Sequence, residues 1–254
     1  MSRSAQFIRD FVVALDLPDL GPQFESAAPP ALPQFTDHQE VVTVGAQLAE
    51  FSPSVATELR PLIANSMLLA QLAANKANAQ AGSVFDWHRK YRDVLSNIGW
   101  TVHASEEQVQ EVNNRNLGVH KAIIPVLTAM LGPAAAATSL VVSVLQGLNE
   151  MDAQTPWITL FDQSSQHASG AKFQISYIDA DAHGQPVISL LACSVTAEKS
   201  ITQVLFFKFS NQKAELRKST AALATTAERL KADKDVIAGR VQSFVSDYVK
   251  NIEI

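Results

Sequence analysis

The first residues of the chain carry apolar side chains at helical spacing. Residues 5–17 predict an amphipathic helix. Its predicted apolar face consists of Phe7, Phe11 and Ala14. The following stretch, residues 18–33, contains five prolines, which is typical of an extended connector on the surface.

After this connector, apolar residues again recur at helical spacing. Residues 41–44 fit either a short strand or the start of a helix, whereas residues 53–79 repeat apolar positions every three or four residues. Pro61 marks a position where that helix can kink. Gly82 ends the stretch, and Ser83 has a side chain suited to cap a second helix.

Residues 117–148 predict an apolar helical hairpin. No charged residue occurs in residues 122–148, a length sufficient to span a bilayer. Pro125 lies near the start of this segment, and Gly132 with Pro133 breaks it in the middle. Two interpretations stay open: a pair of short helices buried in the core, or a hairpin that is buried in the soluble form and inserts into membranes.

The pattern then changes to that of strands, and residues 157–209 predict the core of a sheet. Residues 179–184, with the sequence DADAHG, are typical of a hairpin turn. The predicted strands are rich in β-branched and aromatic residues and are bounded by polar turns. They are residues 157–161, 172–178, 186–195 and 201–209.

Residues 186–195 have apolar side chains on both alternating faces. One face carries Val187, Leu191, Cys193 and Val195, and the other carries Ile188, Leu190 and Ala192. A strand that is apolar on both faces lies between two covering layers. We therefore predict an α+β fold with a central, mainly antiparallel sheet sandwiched by helices.

Residues 212–250 predict a long C-terminal helix. Five apolar residues are spaced seven apart, which suits either a helix docked on the domain or a coiled coil that forms a dimer. These residues are Leu216, Leu223, Leu230, Ile237 and Phe244. Docking is favoured, because the intervening core positions include Thr220 and Lys234.

Composition places the chain among ordinary globular proteins. Its 254 residues are 47% hydrophobic and 18% charged, which suits a single domain over residues 1–254. The formal net charge of −5 and the absence of basic runs argue against a nucleic-acid partner. One cysteine, Cys193, forbids an internal disulfide and a cysteine-rich metal cluster. The expected state is a monomer, with a dimer through the C-terminal helix as the alternative.

The N-terminal helix contains Arg9, Asp10 and Asp16 and is not followed by a small-residue cleavage site, so it does not resemble a signal peptide. We expect a cytoplasmic protein, with membrane association or release without a signal peptide as alternatives.

Common catalytic motifs are absent from the sequence. It has no phosphate-binding glycine loop, dinucleotide fingerprint, nucleophile elbow or zinc-protease helix motif. The six histidines are scattered without a pair at ligand spacing, so we expect no metal. Asp179 and Asp181 flank the predicted hairpin turn, where a solvated role is favoured over acid–base chemistry.

Cys193 has two interpretations. A free cysteine in an apolar strand is usually a small core residue. A nucleophilic cysteine needs a base or a positive charge nearby. His167 is the first candidate base, with Asp162 to orient it, and His103 is the second.

The order of elements over residues 117–209 resembles the core of the Cyt δ-endotoxins. The resemblance is specific at residues 203–207, QVLFF, and the predicted long C-terminal helix departs from it. It implies a central sheet wrapped by helical hairpins. It also implies the alternative function, a pore-forming or membrane-perturbing toxin that uses residues 122–148.

The whole chain resembles the Evf virulence-factor family, whose members have an α/β sandwich around an apolar cavity. In that family a cysteine some sixty residues from the C-terminus carries a fatty acyl thioester. Cys193, within LLACS at residues 190–194, occupies the corresponding place. The resemblance implies that Cys193 bears a long-chain acyl group such as palmitate, without a dissociable cofactor.

This resemblance makes a fatty acyl chain or its donor, and a membrane, the expected partners. The acyl group would serve a membrane-associated virulence factor as an anchor, or a cysteine acyltransferase or thioesterase as an intermediate. The chain needs an apolar lining. The candidate lipid-binding residues are Cys193, Ile123, Leu127, Leu131, Leu140, Val144 and Leu191.

Overall fold

A computed structural model describes residues 4–19, 34–78, 83–112, 118–131, 156–167, 170–196, 204 and 214–252. The described helices are α1 (Ala5–Ala14), α2 (Arg60–Ala77), α3 (Val84–Asn97), α4 (Val119–Leu131), α5 (Pro156–Ser165), α6 (Ala227–Val241) and the single turn α7 (Val245–Tyr248). Short 3₁₀ turns, Thr57–Leu59 and Gln242–Phe244, precede α2 and α7.

The strands form one sheet of eight among the described residues. They are β1 (Glu40–Val44), β2 (Gln47–Phe51), β3 (Thr101–Val112), β4 (Gln166–His167), β5 (Gly170–Ala180), β6 (Pro186–Thr196), β7 (Ala214–Ala224) and β8 (Val249–Ile252). Their order is β3-β7-β6-β5-β2-β1-β8, and β4 pairs with β5. All pairs are antiparallel except β2 with β5.

Both faces of the sheet are covered by helices. On one face, α1, α2, α3 and α6 pack against apolar side chains that include Ile188 and Leu190 of β6. On the other, α4 and α5 pack against side chains that include Leu191 and Val195 of the same strand. We call these the α2–α3 face and the α4–α5 face. The predicted α+β class, the mainly antiparallel sheet and the two-sided burial of β6 are confirmed.

Several local predictions are also confirmed. Ser83 caps α3, because its side chain accepts a hydrogen bond from the backbone N–H of Asp86. Residues 41–44 are part of a strand, β1. The β5–β6 turn forms as predicted, with the Asp181 carboxylate accepting from the backbone N–H groups of His183 and Gln185.

The prediction of a strand at residues 157–161 was wrong. This segment belongs to helix α5, which begins at Pro156. Proline suits the first turn of a helix. The buried residues Ile158, Phe161 and Ser165 are three and four apart, so the buried positions follow the helical period.

The prediction of one long helix over residues 212–250 was also wrong. Residues 214–224 form strand β7, and α6 begins only after Thr226, whose side chain accepts a hydrogen bond from the backbone N–H of Arg229. Seven is an odd number, so residues seven apart on a strand point to opposite faces. Leu216 accordingly packs on the α4–α5 face and Leu223 on the α2–α3 face. The continuous helix that would form a coiled-coil dimer is therefore interrupted.

Two helices near the N-terminus differ from prediction in detail. In α1 the fully buried residues are Ile8 and Val12, whereas Phe7 is 41% exposed. The predicted face was therefore rotated by about one residue. Pro61 lies in the first turn of α2, where it starts the helix and causes no kink.

Of the predicted hairpin 117–148, the structure describes only residues 118–131, in which α4 accounts for Val119–Leu131. Residues 132–148 lie outside the described residues, as do residues 201–209 apart from Val204. In the described part of the chain, no helix combines the length and the apolar character needed to cross a bilayer.

Candidate functional site

Cys193 lies in the middle of β6, with a strand on each side. Its Cα is paired with Phe173 on β5 and with Lys218 on β7. Side chains alternate along a strand. Cys193 shares the α4–α5 face with Leu191 and Val195, because all three belong to the same apolar cluster.

The Cys193 thiol is completely buried in that cluster. Its exposed fraction is 0%, and helix α4 contributes Ile123 and Leu127 to the same cluster, with Phe161 from α5. Burial raises the pKa of Cys193 to about 12, and the positive charge of Lys218 acts in the opposite direction. The thiol is therefore protonated at neutral pH and is not a prepared nucleophile in this arrangement.

The predicted lipid-binding residues fall into three groups. Ile123, Leu127 and Leu191 are buried in the cluster that contains Cys193. Leu131 is partly buried at the end of α4. Leu140 and Val144 lie outside the described residues.

A pocket of about 490 Å³ lies beside this cluster, between α4 and strands β3 and β7. Its helix wall is apolar and consists of Ala122, Pro125, Val126, Ala129 and Met130. Its sheet wall is polar and consists of Glu106, Gln108, Lys218 and Thr220. Lys218 therefore belongs both to the pocket wall and to the cross-strand pair with Cys193.

A second pocket, of about 430 Å³, lies at the C-terminal end of α4. Met130 and Leu131 line it together with residues of the β5–β6 hairpin, among them Tyr177, Asp179 and Ser189. Met130 lines both pockets. The buried row Val119, Ile123 and Leu127 holds α4 to the sheet, and open space flanks this row.

In the register of the sheet, the backbone of neither predicted base is level with Cys193. His103 is exposed on β3, at a bulge next to Val102. The residue of β3 that lies level with Cys193 is Gln108. His103 is therefore displaced from Cys193 by five residues along the strand, about 16 Å, and by two strands across the sheet.

His167 lies on β4 opposite Gly170, whereas Cys193 is level with Phe173. The backbone of His167 is therefore displaced from Cys193 by three residues along the strand, about 10 Å, and by two strands.

Asp162 accepts a hydrogen bond from the backbone N–H of Val204 at 2.9 Å, and burial raises the pKa of its carboxyl group. Its side chain thus helps to hold Val204 beside α5.

Sequence reasoning missed Lys218 as a neighbour of Cys193. The heptad spacing placed residue 218 on a helix, where its neighbours would be three and four residues away. The four residues after Leu216 are all polar, so no apolar alternation in this stretch identifies β7. No group of three or more potential metal-ligating side chains occurs among the residues that the structure describes.

No family model matches this chain, and no curated protein matches it. Among solved structures, it is similar to a delta-endotoxin with 15% identity and a TM-score of 0.46, over 83% of this chain and 91% of the other. The activated Cyt2Ba monomer from Bacillus thuringiensis subsp. israelensis has 14% identity and a TM-score of 0.40, over 72% and 98%. The Evf virulence factor has 14% identity and a TM-score of 0.39, over 98% and 92%.

Proposed function

We propose that this protein is a fatty-acyl-binding protein that carries a long-chain acyl group as a thioester on Cys193. The observation that supports this most is the pocket of about 490 Å³ under α4, whose wall includes Lys218, the cross-strand neighbour of Cys193. The acyl carbon would be bonded to the Cys193 sulfur. The chain would extend along the apolar wall formed by α4.

The size and lining of the pocket suit this ligand. Ligand-binding clefts usually have volumes of about 300–1,000 Å³, and this pocket lies within that range. Burial stabilises a chain by roughly 0.8 kcal/mol per methylene group, so a sixteen-carbon chain would contribute on the order of 10 kcal/mol. On the sheet side, the long aliphatic stem of Lys218 can cover the chain while its ammonium group remains at the polar rim.

The surroundings of Cys193 favour a stored acyl group over a catalytic intermediate. An enzyme needs a base within about 3 Å of the thiol or one water further away. Neither His103 nor the backbone of His167 lies at the level of Cys193 in the sheet. A buried thioester is instead shielded from water, which storage requires. Loading would require α4 to separate from the sheet, because the thiol is inaccessible behind it.

In this proposal the acyl chain would reach a membrane when α4 separates from the sheet, and a virulence role would follow from delivery to a host membrane. The alternative function is a membrane-perturbing protein that uses residues 122–148. The pockets beside α4 support this alternative, because a helix held by one buried row can detach more easily. Release of dye from liposomes by the wild-type protein would favour the alternative, and acylation without dye release would favour storage.

Intact mass spectrometry tests the proposed acylation. The protein, purified at about pH 6.5, should show a mass gain of fatty-acyl size that hydroxylamine removes, because hydroxylamine cleaves thioesters. Since Cys193 is the only cysteine, the variant Cys193→Ser should lack this hydroxylamine-sensitive mass. Circular dichroism should show that the variant is folded. A native mass equal to that of the bare chain, together with no transfer from a labelled acyl-CoA, would contradict the proposal.

A further inference from the structure

Cys193 and Lys218 form a cross-strand pair at the centre of the sheet. Their Cα atoms are directly opposite in the antiparallel register of β6 and β7. Both side chains lie on the α4–α5 face, because Cys193 belongs to its apolar cluster and Lys218 lines the pocket under α4. Directly opposite side chains have Cβ atoms about 4.5–5.5 Å apart, so the thiol and the amine can reach the same acyl carbon.

We propose that Lys218 is an acceptor site for the acyl group, which passes from the Cys193 sulfur to the Lys218 nitrogen. This inference rests on the proposed thioester. The unprotonated amine attacks the thioester carbonyl and forms a new C–N bond, the C–S bond breaks, and the sulfur leaves with the electron pair. The proton released by nitrogen ends on the sulfur. The products are an Nε-acyl-lysine and a free Cys193 thiol, with no oxidant, reductant or water consumed.

The surroundings of the pair favour the amide as the final state. An amide is more stable than a thioester, and its formation replaces an ammonium group beside the acyl chain by a neutral group. The protein would thus use the cysteine to take up the acyl group and the lysine to retain it.

The transfer should depend on pH because an ammonium group has no lone pair for the attack. The charged residue that lines the pocket together with Lys218 is Glu106 on β3. On α4 the described charged residue is Lys121, which is exposed. Glu215 and Arg217 alternate with Lys218 along β7 and therefore point to the α2–α3 face.

The test starts with the full chain, loaded with a sixteen-carbon acyl-CoA at about pH 6.5 and then freed of donor. One half is held at that pH and the other is raised to about pH 8.5. Intact mass spectrometry before and after hydroxylamine measures the thioester and amide fractions, and peptide mapping locates the acyl group. We expect the hydroxylamine-resistant fraction at Lys218 to rise severalfold at the higher pH, without loss of total acyl mass.

Three variants distinguish acyl transfer from Cys193 to Lys218 from direct acylation of Lys218 by the donor. Lys218→Arg preserves the positive charge and should retain the acyl group as a thioester at both pH values. Lys172→Arg is the matched control. Lys172 precedes Phe173 on β5, and because Phe173 belongs to the α4–α5 face, the side chain of Lys172 points to the α2–α3 face. It should behave as the wild type. Cys193→Ser should leave Lys218 unmodified.

The outcomes distinguish this inference from the proposed function. No acyl mass in the wild type would contradict the thioester itself. A thioester that persists in the wild type at both pH values, or that is lost as free fatty acid, would overturn the transfer to Lys218 while the proposed function stands. Acylation of Lys218 to the wild-type extent in Cys193→Ser would overturn the transfer as well, since the donor would then modify lysine directly.

Discussion

His88 shows how burial controls the charge of a single residue in this protein. Its ring is fully buried between α3 and the sheet, and Nδ1 lies 2.7 Å from the hydroxyl oxygen of Ser219 on β7. Burial lowers the pKa of His88 to about 3, and the charge of Arg92 acts in the same direction. The native protein therefore contains a neutral imidazole at pH values where the unfolded chain is already protonated.

This difference predicts an acid sensitivity. As the pH falls from about 6.5 towards 3, the unfolded state takes up a proton at residue 88 and the native state does not, so the free energy of unfolding decreases. The full effect is on the order of 5 kcal/mol, and it is absent above pH 6.5. Urea unfolding at a series of pH values measures it. In His88→Gln this part of the pH dependence should disappear.

His183→Gln provides the control, because His183 is exposed in the β5–β6 turn. Its unfolding free energy should follow the wild-type pH profile. If His88→Gln retained the same slope as the wild type between pH 6.5 and 3, another group would be responsible for the acid sensitivity.

At the level of elements, the tight turn between β1 and β2 depends on a glycine that approaches α2. Gly45 has φ = 56°, in the left-handed region, and a side chain there would collide with the Gln71 carboxamide. That carboxamide accepts a hydrogen bond from the backbone N–H of Ala46 and donates one to the carbonyl of Val44, each at 3.0 Å. The turn and the helix are thereby joined.

We expect Gly45→Ala to destabilise the protein by about 3 kcal/mol, because it adds a steric collision to the left-handed backbone penalty of about 1–2 kcal/mol. Gly184→Ala is the matched control. Gly184 has φ = 74° and open space around it, so only the backbone penalty applies. Thermal or urea unfolding compares the two variants, and equal losses of stability would refute the role of Gln71.

At the level of the whole molecule, the last described strand completes the sheet beside the first. β8 pairs with β1 along Val41–Val44, and the backbone N–H of Gly45 donates to the carbonyl of Tyr248 at 2.5 Å. Val249 and Ile252 are 2% and 7% exposed and pack on opposite faces of the sheet. The first and the last strand of the described chain thus stabilise each other.

Removal of residues 249–254 should therefore destabilise the whole fold. The loss of two buried aliphatic side chains alone amounts to about 3–5 kcal/mol, and the edge hydrogen bonds of β1 are lost with them. Differential scanning calorimetry should show a marked decrease in Tm. Removal of residues 253–254 alone is the control and leaves β8 in place. An unchanged Tm after the longer truncation would show that β8 contributes little to stability.

The sequence by itself determined those features whose signal is contained within one element. Both faces of residues 186–195 are apolar, and β6 is covered on both sides. Ser83 has a capping side chain, and α3 begins after it. Asp181 and Gly184 suit a hairpin turn, and the turn joins β5 to β6. Local hydrogen bonding and side-chain alternation suffice for such predictions.

Tertiary structure decided the features whose signal is ambiguous within one element. Residues 214–224 fit a heptad pattern, yet they form β7 because pairing with β3 and β6 provides hydrogen bonds on both sides and places Leu216 and Leu223 in different apolar layers. β3 was not predicted, because its polar sequence lacks apolar alternation.

The neighbours of Cys193 were also decided by tertiary structure. Lys218 is 25 residues away in the chain and becomes adjacent only through strand pairing, whereas the predicted bases His103 and His167 pair elsewhere in the sheet.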